Sequence, residues 1–100
     1  MLIETVYKPN DTISVRLQTG EEIIGRFVKQ TDTVLSLQKP MSMVIQETPN
    51  GPGMGLGPYM LSASPDASCN IQMSSVQTIV KTESDIAKQY TQSTTGIALP

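Results

Sequence analysis

Apolar and polar residues alternate along the first well-marked stretch of this chain. From Thr12 to Leu17, TISVRL, every second residue is apolar, a pattern typical of a β-strand with one buried face. The segment Thr19-Gly20-Glu21 then interrupts the alternation with a glycine, which tolerates the positive φ that a tight hairpin requires. The pattern therefore predicts that the fold begins with a β-hairpin.

The strand after this turn carries apolar residues on both faces and a glycine at its centre. Ile24 and Val28 share one face, whereas Ile23 and Phe27 share the other, so both faces are expected to be partly buried. A glycine inside such a strand, here Gly25, indicates a sharp bend or bulge where the two layers of a small barrel join.

Shorter strands and a helix are predicted in the rest of the chain, where turn residues separate apolar runs. Three more strands are expected. One runs from Val34 to Leu37 and resumes at Met41 to Glu47, one runs from Tyr59 to Leu61 and resumes at Cys69 to Met73, and the last is Val76 to Lys81. A helix is expected at about Ser84 to Thr91, because hydroxyl and acidic residues begin it. Thr82 or Ser84 is the expected cap, with Ile86 and Tyr90 on one face.

The segment from Pro49 to Pro58, PNGPGMGLGP, is rich in glycine and proline and carries no charge. This composition is typical of a long mobile loop between strands. A phosphate cradle does not fit, because no Gly-Lys-Ser/Thr ending and no helix follow. The predicted organisation is one domain at residues 1–91, with a loop at 48–58, followed by a flexible tail at 92–100. Met1 to Tyr7 fits either one helical turn or an extra edge strand.

These elements predict an all-β fold with a short C-terminal helix. One hundred residues suffice for a single core. The bent hairpin indicates a small, strongly bent, five-stranded antiparallel barrel that is open at one edge, as in SH3-like barrels. An OB-like barrel is the alternative, since it also needs five strands and a glycine bend.

Composition and charge restrict the class of protein. With 38% hydrophobic and 16% charged residues, the chain resembles folded soluble proteins rather than disordered ones. Its net charge of −2 creates no positive field that would attract nucleic acid or an acidic membrane. Cys69 is the single cysteine, and neither a signal peptide nor a membrane-spanning stretch of roughly 20 apolar residues is recognisable. We expect a cytoplasmic protein without membrane contact.

The residue inventory argues against an enzyme. The chain contains no histidine and one cysteine, which excludes Ser-His-Asp and Cys-His catalysis and any standard zinc site. Glu21 and Glu22 are adjacent, so they point to opposite faces of a strand and do not form an acid/base pair. Asp32 is expected to cap the turn before the third strand. No catalytic residue, metal or cofactor is predicted, which leaves a binding module or an assembly protein.

Two glycines and an acidic residue are spaced in a recognisable way along the hairpin. The pattern is Val15-x-Leu17-x-x-Gly20-x-x-x-x-Gly25, followed by Asp32 and the apolar Val34-Leu35-x-Leu37. It resembles the first motif of Sm-like proteins, including the bacterial Hfq branch. Asp32 comes one residue later than in that family, and Val76 to Val80 is similar to the family's final strand. The resemblance covers roughly Thr12 to Leu37 and Ile71 to Lys81, under half of the chain.

The resemblance implies an Sm-like barrel that assembles into a ring of about five to seven subunits by strand pairing at subunit edges. It also implies that single-stranded nucleic acid, RNA more than DNA, binds to the loops at one mouth of the ring. The corresponding residues here are Arg26, Lys29, Gln30, Thr31, Asp32, Thr33, Gln72, Met73 and Ser74. The family's Arg-Gly or Lys-His pair before the last strand is missing from Gln72-Met73-Ser74-Ser75, and Ser36 stands where a base-binding Asn is expected.

A second hypothesis belongs to another class, namely a non-catalytic structural or adaptor protein that binds other proteins. The negative net charge favours it, as does the absence of any basic residue between Pro40 and Val80. The uncharged Met-Gly-Leu segment also favours it, because methionine-rich mobile surfaces adapt to protein partners.

Overall fold

The computed structural model describes residues 7–64 and 66–95. Within these residues the chain forms six strands, a one-turn 3₁₀-helix and one α-helix. They are β1 (Thr12–Leu17), β2 (Glu22–Gln30), β3 (Val34–Thr48), β4 (Gly51–Pro58), β5 (Ser68–Gln72), the 3₁₀-helix Met73–Ser75, β6 (Val76–Lys81) and α1 (Ser84–Thr95). The predicted all-β fold with a short C-terminal helix is confirmed.

The strands form one bent, open sheet in which neighbouring strands run antiparallel. The strand order is β4-β3-β2-β1-β6, and β5 pairs with the first half of β3. β4 pairs with the second half of β3, beyond the bend. Because β5 and β6 do not pair within the described residues, the sheet does not close into a complete barrel. The predicted turn between β1 and β2 is present, with Gly20 at φ +92°.

The segment predicted to be a long loop is instead the returning strand of a second hairpin. Residues 51–58 pair one by one with residues 48–41 of β3, and Pro49 and Asn50 form the turn. Glycine and proline are poor strand residues, but β4 needs few favourable residues because the long strand β3 supplies its partner. Proline is tolerated here because β4 lies at the edge of the sheet. This hairpin brings the total to six strands, where five were predicted.

Two further boundaries differ from the prediction. No strand forms at Tyr59 to Leu61, because the pairing of β4 with β3 ends at Pro58. Helix α1 continues to Thr95, so the first part of the predicted tail is helical. Residues 96–100 of that tail lie outside the described residues, as do residues 1–6 at the other end.

Helix α1 is capped by a residue that the pattern did not indicate. The carboxylate of Glu83 accepts hydrogen bonds from the backbone N–H groups of Asp85 (3.1 Å) and Ile86 (3.2 Å), so neither Thr82 nor Ser84 is the cap. These two bonds lower the pKa of Glu83, because they stabilise its charged form. In the part of the chain that the structure describes, no helix combines the length and hydrophobicity needed to cross a membrane.

The hydrophobic core is built from alternate residues of β1 and from β2, β3 and β5. Its buried members are Ile13, Val15, Leu17, Ile23, Phe27, Leu35, Leu37 and Ile71. Ile24 is also fully buried, whereas Val28, which was predicted to share its face, is 40% exposed. Bulges near Gly25 and after Phe27 shift the register of β2 against β3 and so break the regular alternation.

The bend predicted at Gly25 allows β2 and β3 to pack closely. A Cβ atom at position 25 would lie 3.0 Å from the Cβ atom of Leu37, which is tighter than most Cβ contacts, so Leu37 would have to shift by a few tenths of an ångström. β3 itself bends at Lys39, which adopts a positive φ of 51° just before Pro40. This second bend separates the half of β3 that carries β5 from the half that carries β4.

Candidate nucleic-acid interface

The turn between β2 and β3 is held by a threonine. The Thr31 hydroxyl accepts hydrogen bonds from the N–H groups of Thr33 (3.3 Å) and Val34 (3.1 Å), and the Thr31 N–H donates to the Val34 carbonyl (2.8 Å). The expectation that Asp32 caps this turn is therefore wrong. The backbone N–H groups that would bind the Asp32 carboxylate donate to the Thr31 hydroxyl instead. Asp32 lies exposed at the tip, between Thr31 and Thr33.

The second predicted loop is the 3₁₀-helix that joins β5 to β6. Its start is tied to the first loop, because the Met73 N–H donates to the Thr33 carbonyl at 2.8 Å. Its end is tied to the residue after β1, because the Gln18 N–H donates to the Ser75 carbonyl at 2.8 Å. Register supports the first contact, since Val34 pairs with Gln72 at this end of the β3–β5 ladder. The two segments therefore form one continuous surface.

Eight of the nine predicted site residues lie in or directly beside this surface, and one does not. Lys29 is exposed on β2 opposite Ser36, close to the first turn. Arg26 pairs with Gln38 and is half-buried beside helix α1. Burial raises the pKa of Tyr90 to about 12, and the nearby positive charge of Arg26 makes this increase smaller than burial alone would. Arg26 thus belongs to the helix contact rather than to the loops.

A cleft of about 590 Å³ runs from the second loop along β5. Its polar lining comes from several separate elements, which is why the residue pattern did not reveal it. The side chains that bring amide, hydroxyl, carboxylate or aromatic groups to it are Gln18, Thr19, Glu21, Tyr59, Ser68, Asn70, Gln72 and Ser75. Amides and hydroxyls of this kind donate to and accept from base edges without requiring charge on the ligand.

One aromatic residue reaches this cleft. Tyr59 lies half-buried between the core and the opening, and its pKa is raised by burial and further by the charges of Glu21 and Cys69. Phe27 of β2 is in the core instead, where its ring centroid lies 5.9 Å from that of Tyr7. Of these two aromatic residues, Tyr59 is therefore the one placed where a base could stack on it.

Ser36, which occupies the position of the expected base-binding Asn, is buried and already engaged. Its hydroxyl donates to the Asn70 side-chain oxygen of the neighbouring strand β5 at 2.6 Å. The amide that reaches the surface here is thus Asn70, contributed by β5 instead of β3. Only the β3–β5 register, which pairs these two residues, could have pointed to it.

Charge at the interface is low and mixed. Lys29 precedes the first loop, Asp32 lies at its tip, and Glu21 lines the cleft. A ligand bound here would meet few phosphate-neutralising groups and many neutral polar ones. Among the described residues no cluster of three or more His, Cys, Asp or Glu is placed to hold a metal ion.

No protein-family model matches this chain, and no curated protein sequence matches it. The Sm-like resemblance therefore remains a prediction from the hairpin motif.

Proposed function

We propose that this chain is a subunit of an Sm-like ring that binds single-stranded nucleic acid, RNA more readily than DNA, at the surface formed by its two loops. The observation that carries this proposal is the hydrogen bond from the Met73 N–H to the Thr33 carbonyl at 2.8 Å. This bond joins two segments that are far apart in the sequence. Both were predicted as site residues from the Sm-like resemblance, which does not depend on their contact in this structure.

The strand order supports the assembly part of the proposal. β5 pairs with β3 alone and β6 with β1 alone, so each has an outer edge without a partner among the described residues. Unpaired edges bind other strands, and head-to-tail pairing of β5 with β6 of the next subunit generates a ring when the rotation closes. Such a ring would present the two-loop surface once per subunit around one mouth.

The chemistry favours base contacts over phosphate contacts. Gln30, Thr31, Gln72 and Ser74 supply neutral donors and acceptors for base edges, while Lys29 supplies the positive charge for phosphate. A ring of six chains would carry a net charge of about −12, which repels nucleic acid at long range. Binding is therefore expected to be weak and to weaken further with added salt.

Titration of labelled oligo-U and oligo-A by fluorescence anisotropy tests the proposal. Lys29→Ala is expected to weaken binding of both oligonucleotides several-fold and to lower the slope of log affinity against log salt by about 0.7 for each phosphate that is no longer neutralised. The matched control is Lys88→Ala, which removes the same charge from an exposed position on helix α1. Helix α1 packs at the opposite end of the β3–β5 ladder, so this control is expected to bind like the wild type.

Two outcomes would contradict nucleic-acid binding at this surface. Equal decreases in affinity for Lys29→Ala and Lys88→Ala would show that only net charge matters, and no binding at low salt would remove the proposal altogether. In the second case the adaptor function would be favoured, because a second cavity of about 390 Å³ has an uncharged lining that includes Pro40, Met41, Met60 and Leu61. An uncharged, apolar peptide segment is the partner that fits such a lining.

A further inference from the structure

The β3–β4 hairpin has two chemically different faces. Register places the four glycines of β4 on one face, opposite Ser42, Val44, Gln46 and Thr48. The other face is apolar except at the end next to the turn, where Glu47 lies opposite Pro52; its apolar members are Met41, Met43, Ile45, Met54, Leu56 and the prolines at positions 52 and 58. Ile45 is 81% exposed and Met54 is 64% exposed, so much of the apolar face is open.

The outer edge of β4 presents a short set of backbone groups. Successive residues of a strand turn their N–H and C=O groups in opposite directions. Pro52 and Pro58 have no N–H to donate, so the hydrogen bonds to β3 are assigned to the four glycines of β4. The backbone groups of Pro52, Met54, Leu56 and Pro58 therefore face away from β3. Met54 and Leu56 supply the free N–H donors of this edge.

These groups are arranged symmetrically about one residue. The sequence PGMGLGP, Pro52 to Pro58, reads almost the same in both directions from Gly55. A two-fold axis through Gly55 would pair Met54 with Leu56 of a second copy, and Leu56 with Met54 of that copy. Each pair would exchange two N–H···O=C bonds, whereas each proline would lie opposite a proline, where neither residue has an N–H and the pairing ends. Between its two prolines the edge is thus complementary to itself.

We propose that β4 is a self-association edge, which pairs antiparallel with β4 of a second copy of this chain across a two-fold axis at Gly55. Glycine fits the axis because directly opposed residues that exchange no hydrogen bonds have the closest Cα atoms, about 4.5 Å apart. On the apolar face, Met54 would contact Leu56 of the second copy. The two hairpins would form one continuous four-stranded sheet.

The devices that prevent edge pairing are missing from the centre of β4, between its two prolines. Natural edge strands are blocked by lysine, by inward-pointing charge or by proline. β4 has no charged residue, and its prolines bracket the two donor residues instead of separating them. Because the paired segment is short, we expect its buried area to fall below the roughly 1,000 Å² typical of stable complexes. The association is therefore weak and concentration-dependent.

This contact is separate from the ring proposed above, which uses the outer edges of β5 and β6. The two-fold contact would join two monomers or two rings without involving either of those strands. Failure of one contact therefore leaves the other intact, and the experiments distinguish them.

Disulfide trapping tests the axis directly. In a Cys69→Ser background, Gly55→Cys places a thiol opposite its own copy, within the Cα separation that disulfides accept. The matched control is Gly53→Cys, because the axis places Gly53 opposite Gly57 of the second copy. Under mild oxidation Gly55→Cys is expected to give at least tenfold more cross-linked dimer than Gly53→Cys. A mixture of Gly53→Cys and Gly57→Cys is expected to cross-link where neither does alone.

Folding of the variants needs its own measurement. A Cβ atom at position 55 meets the end of the flexible Gln46 side chain at 2.5 Å, so that side chain must swing aside. Far-UV circular dichroism and thermal melting check that each variant folds. A second variant, Leu56→Pro, removes an outward N–H without removing a bond to β3, and it is expected to lower the fraction of two-fold dimer at least tenfold in sedimentation at high concentration.

Three results would overturn the proposal. The first is equal cross-linking of Gly55→Cys and Gly53→Cys, which would indicate random collision. The second is no cross-linking of folded Gly55→Cys and none in the mixture of Gly53→Cys with Gly57→Cys. The third is wild-type association at high concentration that Leu56→Pro leaves unchanged, which would place the contact elsewhere.

Discussion

Gly25 determines how closely β2 approaches β3. The space that a side chain would need at this position is already filled by Leu37, whose Cβ atom lies 3.0 Å from the site of a Cβ at position 25. Leu37 is fully buried in the core, so it has little freedom to move away. The close approach of β2 and β3 at this bend of the sheet therefore depends on the absence of a side chain at position 25.

Gly25→Ala is expected to destabilise the protein by about 1–3 kcal/mol, because even a methyl group overpacks this contact. Urea denaturation followed by circular dichroism measures the change in the free energy of unfolding. The control is Gly57→Ala at the edge strand β4, where a Cβ would meet Val44 at an ordinary 3.9 Å. That change is expected to stay within about 0.5 kcal/mol. A smaller effect at position 25 than at position 57 would contradict this account of the bend.

Helix α1 stabilises the bend of β3. The Tyr90 side chain is fully buried, and its hydroxyl donates to the carbonyls of Lys39 (2.7 Å) and Gln38 (3.2 Å). The Lys39 ammonium in turn donates to the Thr94 carbonyl at 3.3 Å, near the end of the helix. The positive φ of Lys39 is thus held from both its backbone and its side chain.

Tyr90→Phe is expected to lower the free energy of unfolding by about 1 kcal/mol at pH 8, since a shared hydrogen-bond donor is removed while the ring remains. Burial raises the pKa of Tyr90 from 10.0 to about 12, so the folded state favours the neutral phenol. Its stabilising effect is present below pH 10 and is lost as the pH rises from 10 through 12. Denaturation at pH 8 and pH 11 should show the wild type losing more stability than Tyr90→Phe. Parallel decreases in both proteins would contradict this role.

The whole molecule leaves three strand edges free within its described residues, and two of them, on β5 and β6, are those that the proposed ring requires. Asn70 lies at the middle of β5. The Met73 N–H donates to the carbonyl of Thr33, directly before β3, and the Ala67 carbonyl accepts from the Lys39 N–H of β3. Alternation along β5 therefore turns the backbone groups of Asn70 outward. A ring contact through β5 would therefore use the Asn70 N–H.

Asn70→Pro is expected to reduce the ring to single subunits, because it removes that outward donor. The matched control is Asn70→Ala, which removes the same side chain and the same bond from Ser36 but keeps the N–H, and it is expected to remain assembled. Light scattering on a sizing column gives the mass of each protein. A wild type that elutes with the mass of one chain at micromolar concentration would exclude the ring.

Much of the fold follows from local pattern, because alternation reports which residues face the core. The alternation of Ile13, Val15 and Leu17 predicted β1 and its buried face, and the central Gly25 predicted the bend. The end of the helix was less predictable, since the residues after Thr91 are polar and give no signal. Exposed polar residues extend a helix when its first turns are anchored, here by Tyr90.

Strand β4 and the composition of the candidate interface were decided by tertiary structure. Glycine and proline in β4 oppose a strand locally, and only the register with the long strand β3 supplies the hydrogen bonds that make it one. The motif selected the residues around Thr33 and Met73, yet their contact and the addition of Asn70 arise from the β3–β5 ladder. Strand propensity and motif spacing depend on a few neighbouring residues, whereas strand pairing involves segments that are distant in the sequence. Which segments pair depends on the free energy of the whole sheet.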